Sequence, residues 1–320
     1  MGRTLRVLSP MRFDKSLWSA AIFVLVNLCF VEAFGQSSDR LNKVISQMEE
    51  GRPALGVLSF DYSLTNARAL SSSDLDFVII DMEHSPFDVE RLREFLLGMT
   101  NKRRILEKQS LQPDVVPFVR IPKIGKENFL SQVKQVLDVG AFGVMFPSVD
   151  NAEEARLAVT AMRYPQLSGS PDLRPLGLRG RNPSNAAWYW GVANYQRIAD
   201  TWPLDRDGEL LSIIQIETPE GVANSSEIVF VPGVGAIFIG PSDLSAAMGF
   251  ESPNAPEVET AIQTVLAACL ASGVPCAITT GPNDVVARLE QGFRIVTVGV
   301  DYGISASTSE ALLLGRGAMN

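Results

Sequence analysis

Short apolar runs alternate with helical segments along most of the chain, and this alternation constrains the fold more than any other feature. The runs are continuously apolar, which is typical of parallel strands covered on both faces. The predicted strands are Ala54–Phe60, Phe77–Asp81, Val115–Ile121, Gly143–Phe146, Leu211–Ile216, Ala236–Ile239, Val274–Thr279 and Ile295–Val300. The clearest helices between them are Lys126–Val139, Ala152–Met162, Pro256–Ser272 and Pro282–Gln291. Eight such units predict a (β/α)8 barrel, a fold of about 250 residues.

An open, doubly wound parallel sheet is the competing fold. Its dinucleotide-binding version is disfavoured, because no G-x-G-x-x-G motif follows the first strand. The segment from Pro165 to Pro203 is rich in Pro, Gly and Trp and interrupts the rhythm of the barrel. Loops of this length tend to be functional. For its Trp188, Tyr189 and Trp190 we favour packing or an oligomer contact over stacking on a substrate.

The first 35 residues have the layout of a secretory signal peptide. A basic leader precedes an almost wholly apolar run over residues 17–31, and Ala33 and Gly35 stand at the −3 and −1 positions of a cut before Gln36. We therefore predict a signal peptide over 1–35, a single domain over 36–320, and a periplasmic or secreted protein that has no membrane segment after cleavage. The alternative is an uncleaved N-terminal membrane anchor.

The amino-acid composition excludes several classes of protein. The formal net charge is −8 and there is no Lys/Arg-rich run, which excludes a typical nucleic-acid binder. Three cysteines in 320 residues exclude a disulfide scaffold and a cysteine-based zinc module. Cys269 and Cys276 are expected to be small core residues, and an exported protein could bridge them only if their Cα atoms lie within about 7 Å. His84 is the single histidine, so mechanisms that need two imidazoles are excluded.

Polar side chains follow the predicted strands at their carboxyl ends, which is where the chemistry of a barrel takes place. They come from the second, third, fifth and sixth strands. The candidate site residues are Asp81, His84, Arg120, Gln215, Glu217, Gly240, Pro241, Ser242 and Asp243. Glu83 ranks below them, as a residue that caps the site or binds a water. Because carboxyl ends of parallel strands share one rim, we expect a shared site.

The residue types favour one kind of chemistry. Glu217 and Asp243 are hard oxygen ligands that suit Mg²⁺ or Mn²⁺, with positions left open for a substrate. Residues 240–243 would open a helix that starts near Leu244, whose free N–H groups could hold a substrate carboxylate. Arg120 could stabilise an oxyanion, and His84, oriented by Asp81, is the natural general base. Together these groups suggest an α-keto acid and an enolate intermediate.

Motifs around these residues resemble those of the HpcH/HpaI aldolase family. They are DFVIIDMEHSPFD (76–88), PFVRIP (117–122), QVLDVGAFGVMFPSVDNAEEARLAVTAMRYP (135–165), GLRG (177–180), IQIETPEGVAN (214–224), VGAIFIGPSDLSAAMG (234–249) and VTVGVD (296–301). The resemblance covers nearly all of residues 40–315, and the pieces around His84, Glu217 and Asp243 are the most specific.

The resemblance implies a (β/α)8 barrel that uses a divalent metal ion, Mg²⁺, Mn²⁺ or Co²⁺, to cleave a 4-hydroxy-2-oxoacid to pyruvate and an aldehyde. By position, His84 would be the base, supported by Asp81. Arg120 would polarise the keto oxygen, while Glu217 and Asp243 would hold the metal. The resemblance also implies a homohexamer in which the last helix packs on a neighbouring subunit.

The chain departs from the family pattern at several loops. Met82 stands where the family usually has glycine, residues 101–114 are longer than usual, and the loop over 166–176 is inserted before GLRG. These departures put the choice of aldehyde and the subunit contacts in doubt. Two alternatives to the aldolase remain: a citramalyl- or malyl-CoA-type lyase of the same superfamily, and an exported barrel that binds a 2-oxoacid without turnover.

Overall fold

The computed structural model describes Gly2 and residues 40–122, 129–171, 173–301 and 304–319. Arg40–Asn320 form one compact unit. The predicted signal peptide lies outside the described residues, so the division into a leader and one domain stays a prediction. No helix among the described residues combines the length and the apolar character that a membrane span requires.

Nine strands are present in the described part of the chain. They are β1 Ala54–Ser59, β2 Phe77–Asp81, β3 Val116–Arg120, β4 Gly143–Phe146, β5 Thr201–Trp202, β6 Leu210–Ile216, β7 Ala236–Ile239, β8 Cys276–Thr279 and β9 Ile295–Asp301. All eight predicted strands are confirmed: three match exactly, and the ends of the other five differ by one or two residues. The two-residue β5 is not among the predicted strands, because it lies in the segment from Pro165 to Pro203, which the sequence predicts as a loop.

Eight of these strands close into a parallel barrel in the order β1-β2-β3-β4-β6-β7-β8-β9, and β9 returns to pair with β1. β5 pairs only with the start of β6, outside this ring. Closure confirms the (β/α)8 barrel over the open doubly wound sheet. β2, β3, β4, β6 and β7 are buried along their whole length, as expected for strands with side chains in the barrel core on one face and under helices on the other.

Helices fill the connections between strands. They are α1 Lys43–Glu49, α2 Leu64–Ser71, α3 Val89–Gly98, α4 Lys102–Lys108, α5 Phe129–Asp138, α6 Ala152–Met162, α7 Ser184–Trp190, α8 Tyr195–Ile198, α9 Pro219–Ala223, α10 Ser225–Ile228, α11 Pro241–Ala247, α12 Pro256–Ser272, α13 Val285–Gln291 and α14 Ala306–Ala318. Two predicted helices, α6 and α12, match residue for residue. α13 begins later than predicted, because the Asp284 carboxylate accepts the Gly281 N–H and holds residues 281–284 in a turn.

The long segment before β6 packs against the barrel instead of lying over its mouth. The Trp190 ring stacks on Phe142, with ring centroids 4.2 Å apart, and its Nε1 donates to the Gly140 carbonyl at 2.8 Å. Arg163 is fully buried and pairs with Asp200 through both Nε and Nη2. For Trp190 the packing interpretation is therefore confirmed, whereas Trp188 is exposed.

Candidate active site

Asp81 and Arg120 lie opposite each other at the carboxyl ends of β2 and β3. Arg120 Nε donates to Asp81 Oδ1 at 2.8 Å, and both side chains are buried. The same carboxylate accepts the backbone N–H groups of Glu83 at 3.0 Å and His84 at 3.4 Å. One buried aspartate therefore fixes both the guanidinium and the turn that presents the histidine.

His84 extends from this turn with its side chain 55% exposed, so a substrate can reach the imidazole. The sequence predicts that Asp81 orients the imidazole. Instead the Asp81 carboxylate binds the backbone of His84, and the carboxylate beside the ring belongs to Glu83, whose Oε2 lies 3.7 Å from Nε2. From the sequence Glu83 ranks below the other candidates, because a residue next to a histidine gives no sign of which way its side chain turns.

Glu83 stands between the histidine and the arginine. Its Oε2 is also 3.3 Å from Arg120 Nη1. Burial raises the pKa of Glu83 above its ordinary range, and the positive charge of Arg120 offsets only part of this rise. Burial lowers the pKa of Arg120. The hydrogen bond and the charge of Asp81 outweigh burial, so the pKa of Arg120 is raised and the guanidinium keeps its charge.

Glu217 follows β6 and is almost fully buried. One of its carboxylate oxygens accepts the Ser148 hydroxyl and the other accepts the side-chain amide of Gln215. Burial raises the pKa of Glu217, and the negative charges of Asp243 and Glu83 raise it further. Among the described residues of the site, several carboxylates surround one positive charge, that of Arg120, which favours a bound cation.

Ser148 is a site residue that the sequence analysis missed. It comes two residues after β4 and has a φ of 51°, in the left-handed region that residues other than glycine seldom adopt. A Pro-Ser pair after a strand is typical of an ordinary turn, so the only available signal was its position at a strand end. Strained backbone of this kind is often found at functional sites.

Residues Gly240–Asp243 form the cap and first turn of α11. The helix begins at Pro241, not near Leu244 as predicted, and Leu244 N–H already bonds to the Gly240 carbonyl. A Cβ on Gly240 would stand 2.8 Å from both Gln215 Nε2 and Glu217 Oε2, so a larger residue would displace these two side-chain ends. Asp243 is exposed in this first turn, and its charge acts on both Glu217 and Glu83.

The donor set suits a hard divalent cation in an open site. Glu217 and Asp243 supply carboxylate oxygens, and the buried Gln215 Oε1 has no hydrogen-bond partner among the described residues. Within those same residues, no group of three or more His, Cys, Asp or Glu side chains could hold an ion. An ion bound to Glu217 and Asp243 would therefore need further oxygens from water or substrate, as Mg²⁺ commonly has.

Comparison with known proteins agrees with this geometry. A model of the HpcH/HpaI aldolase/citrate lyase family matches residues 62–307. A 4-hydroxy-2-oxo-heptane-1,7-dioate aldolase from Salmonella paratyphi A is 36% identical over 277 residues, which cover 85% of this chain and 93% of that protein.

Solved structures share the barrel. An HpcH/HpaI aldolase/citrate lyase family protein from Burkholderia cenocepacia J2315 has a TM-score of 0.68 at 29% identity, covering 86% of this chain and 96% of that one. A citrate lyase beta subunit from M. tuberculosis, complexed with oxaloacetate and magnesium, has a TM-score of 0.54 at 14% identity, covering 86% and 100%. The second likeness shows the fold alone.

Taken with these relatives, the closed barrel and its rim of histidine, arginine and carboxylates define a carbon–carbon lyase. The chain belongs to the HpcH/HpaI aldolase/citrate lyase family. The resemblance and the aldolase class predicted from the sequence are both confirmed.

Proposed function

We propose that the protein cleaves a 4-hydroxy-2-oxoacid to pyruvate and an aldehyde. The observation that carries this proposal is the pairing of Asp81 with Arg120 at 2.8 Å, which holds a fixed positive charge beside the turn of His84. A proton acceptor and a holder of negative charge are thus anchored by the same carboxylate. The name of the Salmonella relative supports a 4-hydroxy-2-oxoacid as the substrate class.

The reaction makes two demands on the site. The 4-hydroxyl must lose a proton as the bond between C3 and C4 breaks, and the electron pair of that bond must pass through C2 to the keto oxygen. Protonation at C3 then yields pyruvate. We assign the hydroxyl proton to His84, and Glu83 stabilises the imidazolium that forms, its Oε2 lying 3.7 Å from Nε2. We assign the charge on the keto oxygen to Arg120.

We further propose that Glu217 and Asp243 hold a divalent ion, Mg²⁺, Mn²⁺ or Co²⁺. Such an ion, when bound, supplies Lewis-acid polarisation of the substrate's keto oxygen. Ser148 and Gln215 keep the Glu217 carboxylate in place by hydrogen bonds to its two oxygens. The carboxylate oxygens of Glu217 and Asp243 and the buried amide oxygen of Gln215 support the choice of a hard cation.

The substrate carboxylate is assigned to the first turn of α11. Pro241 has no N–H, so the free donors there are the backbone N–H groups of Ser242 and Asp243. Gln215 lines the same side of the mouth with its unpartnered Oε1, which can accept a hydrogen bond from a bound hydroxyl or water. These residues complete the predicted substrate-binding set.

Aldol condensation tests the proposal directly. Purified protein is supplied with Mg²⁺, Mn²⁺ or Co²⁺, pyruvate and a panel of aldehydes, and products are identified by mass. Cleavage of the Salmonella relative's named substrate between C3 and C4 would release a four-carbon semialdehyde, so this aldehyde belongs in the panel. Pyruvate binding without turnover for every aldehyde would favour a binding protein instead.

The His84→Ala variant tests the assignment of the base. It should lower turnover by roughly 10²–10⁴-fold and leave pyruvate binding nearly unchanged, because the imidazole moves a proton and does not anchor the carboxylate. Arg120→Ala should lower both turnover and pyruvate affinity. Arg91→Ala, whose side chain is 70% exposed on α3, is the matched control and should behave as wild type. Near-normal cleavage by His84→Ala would overturn the assignment.

We propose export of the protein from the layout of residues 1–35. Protein recovered from the native host should begin at or near Gln36 when its N-terminus is sequenced. A Met1 terminus on membrane-bound protein would instead support the uncleaved anchor.

A further inference from the structure

Cys269 and Cys276 face each other at the end of the barrel opposite the candidate active site. Cys269 lies in the last turn of α12, and Cys276 is the first residue of β8. Gly273 reverses the chain between them with a φ of +79°, and its N–H bonds to the Cys269 carbonyl at 2.9 Å. The reversal brings both side chains to one cavity of about 220 Å³.

The two thiols are in contact inside the core. Both residues are almost fully buried. Burial raises the pKa of the Cys276 thiol, and its hydrogen bond with the Cys269 thiol raises it further. Both cysteines are free thiols in the structure, and the shared cavity and this hydrogen bond place their sulfur groups side by side.

No third cysteine competes with this pair in the proposed mature chain. The sequence has three cysteines, and Cys29 lies in the segment that the signal-peptide prediction removes. Protein exported to an oxidising compartment would carry Cys269 and Cys276 alone. Disulfides form and persist in such compartments and are rare where glutathione and thioredoxin keep thiols reduced.

We propose that Cys269 and Cys276 form a disulfide bond that ties the end of α12 to the start of β8. In this step both S–H bonds break and one S–S bond forms. The two electrons and two protons pass to the disulfide of a thiol–disulfide oxidoreductase, or to oxidised glutathione, which becomes a pair of thiols. The bond lies at the amino end of β8, away from the carboxyl-end rim, so it is independent of the proposed catalysis.

Thiol labelling tests the bond. Both thiols are buried in the folded protein, so the full chain carrying Cys29→Ser is first unfolded and then refolded in a mixture of oxidised and reduced glutathione. It is afterwards denatured and alkylated with iodoacetamide before and after reduction. We expect no alkylated thiol before reduction and two after it, by intact mass. Two alkylated thiols before reduction would overturn the proposal.

Single-cysteine variants provide the control. Cys29→Ser with Cys269→Ser should show one alkylated thiol both before and after reduction, and Cys276→Ala serves equally if that variant folds poorly. Reduction should lower the melting temperature of the two-cysteine protein by several degrees and leave the single-cysteine control unchanged, because only the former loses a cross-link. Equal melting temperatures for the oxidised and reduced two-cysteine protein would contradict a bond that ties α12 to β8.

Discussion

Asp81 satisfies three hydrogen-bond donors with one carboxylate: the Arg120 guanidinium and the backbone N–H groups of Glu83 and His84. The geometry of the base and of the charge-holding arginine therefore depends on a residue that contacts neither the hydroxyl nor the keto oxygen in the proposed reaction. Because the pair is buried, loss of the Asp81 charge is costly, and it leaves Arg120 with Glu83, 3.3 Å away, as its remaining anionic partner.

We expect Asp81→Asn to lower the free energy of unfolding by roughly 3–5 kcal/mol, the usual cost of breaking a buried ion pair. It should also reduce turnover, because asparagine keeps only one acceptor oxygen for the three donors that Asp81 satisfies. Urea unfolding and steady-state kinetics measure the two effects. The control is Asp88→Asn. Asp88 caps the N-terminus of α3, and because asparagine caps helices equally well, this variant should stay close to wild type in stability. An Asp81→Asn protein as stable as this control would contradict the argument.

Gly240 has no Cβ, and this leaves room for the side-chain ends of Gln215 and Glu217. In Gly240→Ala the new methyl group would stand 2.8 Å from both Gln215 Nε2 and Glu217 Oε2, so the Glu217 carboxylate must move. We expect weaker divalent-metal binding in calorimetry and lower turnover. Gly281→Ala is the matched control, since Gly281 lies just after β8 and its Cβ would meet nothing closer than 4.0 Å. Equal metal affinity in both variants would place the ion elsewhere.

Among the secondary-structure elements, Asp76 joins parts of the barrel that are distant in the chain. It precedes β2 and is almost fully buried. Its carboxylate contacts Lys43 of α1 at 2.8 Å, Arg316 of α14 at 2.8 Å and the Leu55 N–H of β1 at 2.9 Å. Burial alone would raise the pKa of Asp76, but the Arg316 hydrogen bond and the charge of Lys43 outweigh it and lower the pKa.

A lowered pKa means that ionised Asp76 stabilises the fold. We expect Asp76→Asn to lose on the order of 2 kcal/mol of unfolding free energy at neutral pH, the range for hydrogen bonds to charged groups. This loss of unfolding free energy should be complete above the ordinary aspartate pKa of about 3.9. It should shrink as the pH falls through the lower pKa that Asp76 has in the folded protein. Urea unfolding across this pH range measures it, with the exposed Asp74→Asn as control. A difference that does not change with pH would contradict the titration argument.

At the scale of the whole molecule, an exposed apolar surface lies on α14, the last helix described. Leu313 is 74% exposed and Leu314 is 41% exposed on α14. We propose that this surface joins subunits of a homo-oligomer, a hexamer by family resemblance. Large exposed apolar side chains grouped on one helix are typical of association surfaces.

Light scattering after size exclusion tests this assembly. Wild-type protein should elute as a hexamer, and Leu313→Glu should yield smaller species, because a charge buried in an apolar interface is costly. Leu106→Glu introduces the same charge on α4, at a leucine that is 76% exposed, and should leave the assembly intact. A monomeric wild-type protein would exclude the hexamer.

Local pattern was enough to predict the barrel and most of its rim. Strand periodicity and helix length depend on residues close together in the chain, and parallel strands bring their carboxyl ends to one face. For that reason Asp81, Arg120, Glu217 and Gly240 were predicted at the rim, and α6 and α12 match the predicted bounds. The residue count alone also shows that His84 is the only histidine, and so the only imidazole available to the site.

Tertiary structure alone decided which side chains touch. Ser148 and Glu217 are 69 positions apart, and their hydrogen bond exists only because β4 pairs with β6 when the barrel closes. The side chain of Glu83 lies between Arg120 and His84, and both of these contacts depend on the pairing of β2 with β3 and on the turn that Asp81 holds. Sequence pattern specifies each element and its buried face, whereas contacts between elements depend on how all the strands pack at once, which no local segment encodes.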